Sequence, residues 1–345
     1  MQRPSGNRRL RSAAPGMRAA GCLAFASLAL AVAACGGQQS ALQPSGPGAR
    51  DAAVLWWGML AGSIAIFALV LALLLYAVLS RPERRRPVGI DRMIVGGGVV
   101  LPVVALSILL AFGLRMGSST YADLPPDALS VRIDGRQWWW KIDYHDDRSP
   151  SSFTTANEIY LPAGEPVELL LTSSDVIHSF WLPRLAGKQD LIPGRVNRLV
   201  VEAEEPGVFR AQCAEFCGLA HTQMALYVVA VPPESFEEWA ERQRAPAAPP
   251  RGDAATRGAA AFAANGCPLC HTVRGHGAWG RVGPDLTHLG SRKTIGAALV
   301  DNTVENVATW IAHNHAMKPG NQMPAYTHLD AETRRAIATY LESLR

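Results

Sequence analysis

Gln212–Met224 reads QCAEFCGLAHTQM, and the chemistry of this stretch decides what kind of domain surrounds it. Cys213, Glu215, Cys217, His221 and Met224 set two thiolates, an imidazole, a thioether and a carboxylate in one short loop. Thiolate with thioether selects a soft metal and imidazole suits copper as well, so the donors are those of a copper site. Structural zinc would use paired Cys-x-x-Cys knuckles and no Met, and an iron–sulfur cluster would use four Cys. A Cys213–Cys217 disulfide is within reach in an exported segment, but it gives His221 and Met224 nothing to do. One ligand is missing from the loop. His178, in TSSDVIHSFWLP, follows an apolar run that reads as a buried strand and is the candidate.

The residues around the loop read as strands. LSVRID, QWWWKIDY, NEIYL, VELLLTS, VNRLVVE, GVFRAQ and ALYVVAV, within 118–232, are short, rich in β-branched and aromatic residues, and separated by Gly, Pro, Asp or Ser. Such a series predicts an all-β Greek-key sandwich. The copper loop then joins the last two strands, and period-two alternation puts Trp138 and Trp140 on one face with Trp139 on the other.

Upstream, residues 1–34 carry Arg3, Arg8, Arg9, Arg11 and Arg18 ahead of an Ala/Leu-rich stretch that ends VAAC at Cys35. A basic start, an apolar middle and small residues before the break describe an export signal. Cys35 directly after small residues matches a lipoprotein signal with a lipidated Cys35; an ordinary cleaved signal or an uncleaved anchor are the alternatives. Residues 35–51, rich in Gly, Pro, Ser and Gln, read as a flexible tether. A transmembrane hairpin is expected over 52–116, because Val54–Leu79 and Met93–Leu114 are uncharged and long enough for a bilayer core of about 30 Å. Arg81, Arg84, Arg85 and Arg86 between them put the loop in the cytoplasm and both flanks outside.

Downstream, PESFEEWAERQ resembles a short amphipathic helix and RAPAAPPRG a semi-rigid spacer, together covering 233–252. Over 253–345, Cys267-Pro-Leu-Cys270-His271 is the attachment motif of a c-type haem, with two thioether bonds and a proximal imidazole. Met323 in KPGNQMP is the candidate sixth ligand, in competition with His313, His315 and Met317; a Met opposite His is the usual cytochrome c pairing. His276, His288 and His328 read as surface or propionate-side residues, and DAETRRAIATYLESL as a closing helix capped by Asp330. A formal net charge of only +4, with the basic residues gathered near the N-terminus and in one loop, leaves a nucleic-acid partner little support. The 6 cysteines fall to the leader and the two cofactor motifs, leaving none for a structural disulfide.

The copper loop, DVIHSFWLP, GKQDLIPGR and GRQWWWKIDY together resemble subunit II of the haem–copper cytochrome c oxidases, over residues 50–232, and a class I cytochrome c covers 253–345. The resemblance implies a cupredoxin fold followed by an all-α cytochrome domain, as in a caa-type oxidase. It implies a dinuclear copper A in which Cys213 and Cys217 bridge, His178 and His221 cap one copper each, and Met224 and the Glu215 carbonyl are weaker ligands. It further implies Trp138 as the electron-accepting aromatic, and a magnesium ion shared by the Glu215 carboxylate with the catalytic subunit. Partners would be that subunit, other oxidase subunits, an external cytochrome c and the bacterial cytoplasmic membrane, with both cofactor domains on the periplasmic face. Many members carry a Glu for proton uptake near the start of the second span; here Val95 stands in that neighbourhood and Asp91 is the nearest acid. The donor subunit of a copper-A-dependent nitric oxide reductase and a copper-delivery protein are the alternative readings.

Overall fold

The computed structural model describes residues 37–81, 89–120, 124–125, 128–145 and 152–345. The export signal, Cys35 with its lipidation, and Arg84, Arg85 and Arg86 of the basic loop lie outside the described residues.

Among the described residues, two helices are long and apolar enough to cross a membrane. The first, α1, runs from Pro47 to Leu79. The second begins as α2 (Ile90–Val95), widens into a π-helical turn at Gly96–Val100 and continues as α3 (Leu101–Thr120). Pro102 cannot donate to the carbonyl four residues earlier, and the ladder loosens just ahead of it. Phe67, Leu74, Ile108 and Leu114 point outward on these helices, as side chains with hydrocarbon for a solvent do.

The start of α1 differs from the expectation of a span from Val54 behind a flexible tether. The helix starts at Pro47, and the residues before it are hydrogen-bonded to the β domain. Ser45 N donates to Arg184 O (2.7 Å), Glu204 N donates to Ser45 O (3.1 Å) and Ala49 N donates to Leu185 O (3.2 Å). Gln39 bonds through its side chain to Gln212 (2.9 Å) and Arg210 (3.0 Å). Most of these ties are backbone to backbone, so a flexible composition gives no sign of them.

Among the described residues the β domain has ten strands in two five-stranded sheets. One sheet, in spatial order, is β3 (Phe153–Ala156), β2 (Trp139–His145), β1 (Ser130–Arg136), β5 (Val167–Ser173) and β8 (Asn197–Val201). The other is β4 (Glu158–Pro162), β10 (Ala225–Val231), β9 (Gly207–Cys213), β6 (His178–Trp181) and β7 (Lys188–Leu191). Trp140, Ile133, Ile142, Leu169, Leu171 and Phe180 fill the space between them. Strands β3, β6 and β7 were not among the runs read from sequence: each is only four residues long. Trp138 also departs from expectation, since β2 begins at Trp139 and Trp138 sits in the turn before it. Strand alternation therefore does not set its direction.

Helix α4 (Pro233–Arg244) lays Phe236 and Trp239 on the sandwich, Trp239 stacking on Tyr160 with ring centroids 4.4 Å apart. The Pro/Ala stretch after it is no free spacer. Ala247 N donates to Arg274 O (2.9 Å), and the His288 ring bonds Ala245 O (3.0 Å). His288 is accordingly buried and not a surface residue.

The C-terminal domain packs α5 (Asp253–Ala264), α6 (Val304–Met317) and α7 (Ala331–Ser343) around Phe262, Val307, Ile311, Ile337, Tyr340 and Leu341. Two of the starts are capped by a side chain. Thr303 accepts from Asn306 N (3.2 Å) to cap α6, and Asp330 accepts from Thr333 N (2.7 Å) to cap α7.

Candidate metal centre and haem pocket

Register brings the copper candidates together. β9 and β10 pair antiparallel with Gln212 opposite Ala225, so the loop between them closes at one end of the sandwich. β6 pairs β9 with Phe180 opposite Cys213, which places His178 beside the loop from the neighbouring strand. Gly135 on β1 makes room for it, since a Cβ there would lie 2.7 Å from the imidazole Cδ2.

His178, Cys213 and Cys217 offer ligand atoms all within 4.8 Å of one another, and all three are buried. Cys213 Sγ lies 3.7 Å from Cys217 Sγ, too far for a disulfide bond of about 2.05 Å. His178 Nδ1 is 3.9 Å from Cys213 Sγ, with Glu215 O 3.2 Å from the same sulfur. On the other side His221 Nδ1 and Met224 Sδ are 3.6 and 3.8 Å from Cys217 Sγ. The donors thus fall into two groups about a central pair of sulfurs, a fit to two soft ions sharing both thiolates. The Glu215 side chain itself is exposed, and Phe216 beside it presents its ring edge-on to His221, centroids 5.8 Å apart.

Electrostatics favours a thiolate here before any metal arrives. The hydrogen bond from Cys217 draws the Cys213 thiol down to about 3 against the opposing effect of burial, and pushes Cys217 up in turn. Burial would lower His178, but the Asp175 carboxylate and the Cys213 sulfur beside it hold it above the usual imidazole value.

Asp175 was not singled out from the sequence. Its Oδ1 lies 2.7 Å from His178 Nε2 and its Oδ2 accepts from Gln137 N at 2.7 Å. With Nε2 engaged there, Nδ1 is the nitrogen left for the sulfur cluster, as an outer carboxylate does for metal-bound imidazoles generally. The same turn is tied to the loop: Gln137 Nε2 and Trp138 Nε1 both donate to Cys217 O, at 2.7 and 3.0 Å.

A second site faces this turn. One cavity is walled by Cys267, Cys270, His271 and Met323 of the C-terminal domain, and also by Trp138 and Trp139 of the sandwich. His313, His315 and Met317 are not in its wall; the His315 ring instead bonds Met323 O at 2.8 Å. Cys267 and Cys270 flank a single 3-10 turn, and His271 Nδ1 bonds Pro284 O at 2.8 Å, leaving Nε2 for a ligand. A Cβ on Gly283 would lie 2.5 Å from His271 Cε1, so only glycine lets the chain pass that ring. The wall is largely apolar, with Leu286, Leu289, Ile295 and Val307. Arg292 also lines it, with a buried Nε that has no partner. A flat apolar macrocycle carrying carboxylates fits that lining.

Trp138 lies between the two sites. It is 6% exposed, although the resemblance casts it as the electron-accepting aromatic. The cover comes from the chain's own C-terminal domain and the copper loop. Gly218 (φ +116) and Gly320 (φ +83) hold left-handed backbone on either side, and a Cβ on either would come within 2.9 Å of the indole.

Comparison with known proteins agrees with this division. Residues 148–231 match the family described as cytochrome C oxidase subunit II, periplasmic domain, and residues 255–345 match cytochrome c. Cytochrome c oxidase subunit 2 of Alkalihalophilus pseudofirmus is 33% identical over 344 residues, covering 94% of this chain and 96% of the relative. The protein of that name from Bacillus sp. (strain PS3) is 29% identical, covering 71% of this chain and 72% of the relative. Among solved structures, the periplasmic domain of subunit II of cytochrome oxidase from Bradyrhizobium japonicum is 30% identical, covers 35% of this chain and 96% of its own, and has a TM-score of 0.33.

Proposed function

Because this chain belongs to the cytochrome c oxidase subunit 2 family, we propose that it is the electron-input arm of a terminal oxidase, accepting electrons from an external cytochrome and delivering them to the catalytic subunit that reduces oxygen. When bound, haem c and dinuclear copper A supply one-electron carriers and make no bonds of their own. Cys267 and Cys270 would attach the haem covalently, and His271 and Met323 would hold its iron. Cys213, Cys217, His178, His221, Met224 and the Glu215 carbonyl would hold the copper. The exposed Glu215 carboxylate faces outward, suited to a hard cation shared with the catalytic subunit. The two apolar helices anchor the chain in the bacterial cytoplasmic membrane, with Arg81 and the basic loop inside, both cofactor domains outside, and Cys35 as a lipidated end of the mature chain.

The observation that carries this reading is the position of Trp138: the residue lines the haem cavity while its indole N–H donates to Cys217 O at 3.0 Å. One residue therefore borders the haem cavity and is bonded to the copper loop. Cys213, Cys217 and Met224 are buried, which would limit how far these donors can move when an electron arrives. In the assembled oxidase, Trp138→Phe should keep both cofactors but slow haem-to-copper transfer by about tenfold or more, close to 1.4 kcal/mol of barrier. Transfer at the unaltered rate, followed by stopped-flow absorbance after reduction by cytochrome c, would remove Trp138 from the path.

A further inference from the structure

Lys318 follows directly on α6 and its side chain enters the seam between the two domains, where it is 2% exposed. A lysine is almost never buried so fully without partners. Its Nζ lies 2.7 Å from Trp138 O, 2.8 Å from Gln223 O and 2.7 Å from Gly296 O. An ammonium has three protons to give and no acceptor. Here three backbone carbonyls receive them: one on the turn that carries Trp138, one on the copper loop next to Met224, and one in the haem domain itself.

The residues either side of Lys318 act on the same two places. Met317 O accepts from Gln223 Nε2 at 3.1 Å, so the copper loop is held twice from the end of α6. Gly320 lies against the Trp138 indole, where even a Cβ would come within 2.9 Å. Residues 317–320 are therefore a plug seated on Trp138 and Gln223, fastened at its centre by the three hydrogen bonds of the buried Lys318 Nζ. Elsewhere in the seam a second buried group, the Glu158 carboxylate of β4, accepts from Lys293 N at 2.5 Å and Thr294 N at 3.3 Å. Ala225 N donates to Ala297 O at 3.3 Å, and Arg136 reaches Arg281 O at 3.4 Å.

We propose that Lys318 is the positioning residue that seats the haem domain on Trp138 in one orientation, and that this seat closes the Trp138 face of the copper centre to external donors. The sandwich cannot present Trp138 to another protein while residues 317–320 cover it, so the haem domain stands in series with the copper centre and not beside it. The inference rests on the reading above that Trp138 connects the two centres. The docking itself rests only on the hydrogen bonds.

The test uses the full chain in its oxidase, with Lys318→Met, which keeps the apolar stem and removes the three donors. Two measurements separate the seat from the electron path. Hydrogen exchange at Gln137–Trp138 and at Gln223 should rise in the variant as the seam opens. Haem-to-copper transfer should slow by about tenfold or more while the haem and copper spectra stay intact, and kcat for oxygen uptake should fall with the KM for the donor unchanged. Gly320→Ala, which presses on Trp138 without touching the cation, should reproduce both effects. Unchanged exchange in Lys318→Met would overturn the seat. Raised exchange with unaltered transfer would keep the seat and overturn the path through Trp138. Loss of either cofactor in both variants would make this segment a folding element and overturn the positioning role.

Discussion

Replacing Asp175 with Asn should weaken copper binding although Asp175 offers no ligand to the site. The carboxylate uses both oxygens, Oδ1 toward His178 Nε2 at 2.7 Å and Oδ2 toward Gln137 N at 2.7 Å. Val176 N donates to Oδ1 as well, at 2.6 Å. Burial raises the Asp175 pKa, but the hydrogen bonds from His178, Gln137 and Val176 outweigh it and hold the carboxyl below its usual value. An Asn side chain has one oxygen and one NH2, so either the imidazole or the Gln137 amide must face a donor. A hydrogen bond to a charged group contributes roughly 1.5–3 kcal/mol. Loss of an outer partner of a metal ligand typically costs roughly 10–100-fold in affinity, which is about 1.4–2.7 kcal/mol at about 1.36 kcal/mol per decade. The two routes agree, and the 29% exposure of the Asp175 side chain favours the lower half. Copper competition between the purified chain and a chelator of known affinity, read from the copper absorption bands, measures it directly. Affinity within about twofold of the unaltered chain, against the tenfold or greater loss typical of an outer partner, would refute the reasoning.

Met323→Leu should leave the haem attached through Cys267 and Cys270 but lower its reduction potential by at least about 59 mV, tenfold in a one-electron equilibrium; an unaltered spectrum and potential would move the sixth ligand elsewhere. Cys217→Ser should abolish the mixed-valence signal of a copper pair in electron paramagnetic resonance, and a surviving signal would end the bridging role. Burial holds His288 below the ordinary imidazole value of 6.5; the Ala245 carbonyl opposes this and the Arg274 charge adds to it. The unfolded chain then binds the extra proton first as the solution is acidified below 6.5. Stability should therefore fall with pH down to the folded-state value and level off beneath it. His288→Gln should flatten that dependence in chemical denaturation series, and an identical pH profile would assign the dependence to other groups.

Much of the site was legible because its donors lie close together along the chain. Cys213, Cys217, His221 and Met224 belong to one loop, and Cys267, Cys270 and His271 to one turn, so ligand types and spacing carry the chemistry without any tertiary information. What was not legible comes from backbone groups meeting across the fold. Asp175 acts through a ring three residues on and through Gln137 in the turn between β1 and β2, while a single Asp in a polar loop looks like an ordinary turn residue. Lys318, beside a Pro-Gly turn, has the sequence character of a solvated loop residue; its partners are three carbonyls, which any residue type could supply. The same reason hid the docked residues before α1 and the packed Pro/Ala stretch after α4. Strands β3, β6 and β7 were missed because four residues hold too few alternations to rise above their surroundings.

The clamp at Ser45 has mechanical meaning. Ser45 is held by Arg184 O and Glu204 N, and α1 leaves immediately afterwards as an unbroken helix of 33 residues. That is about 50 Å of rod for a hydrocarbon layer of about 30 Å, so the upper part stands clear of the bilayer as a post fixed to the sandwich. No joint separates the post from its load. Tilting the helix within the membrane would swing the copper donors through an arc, so whatever braces α1 also determines how steadily those donors are aimed.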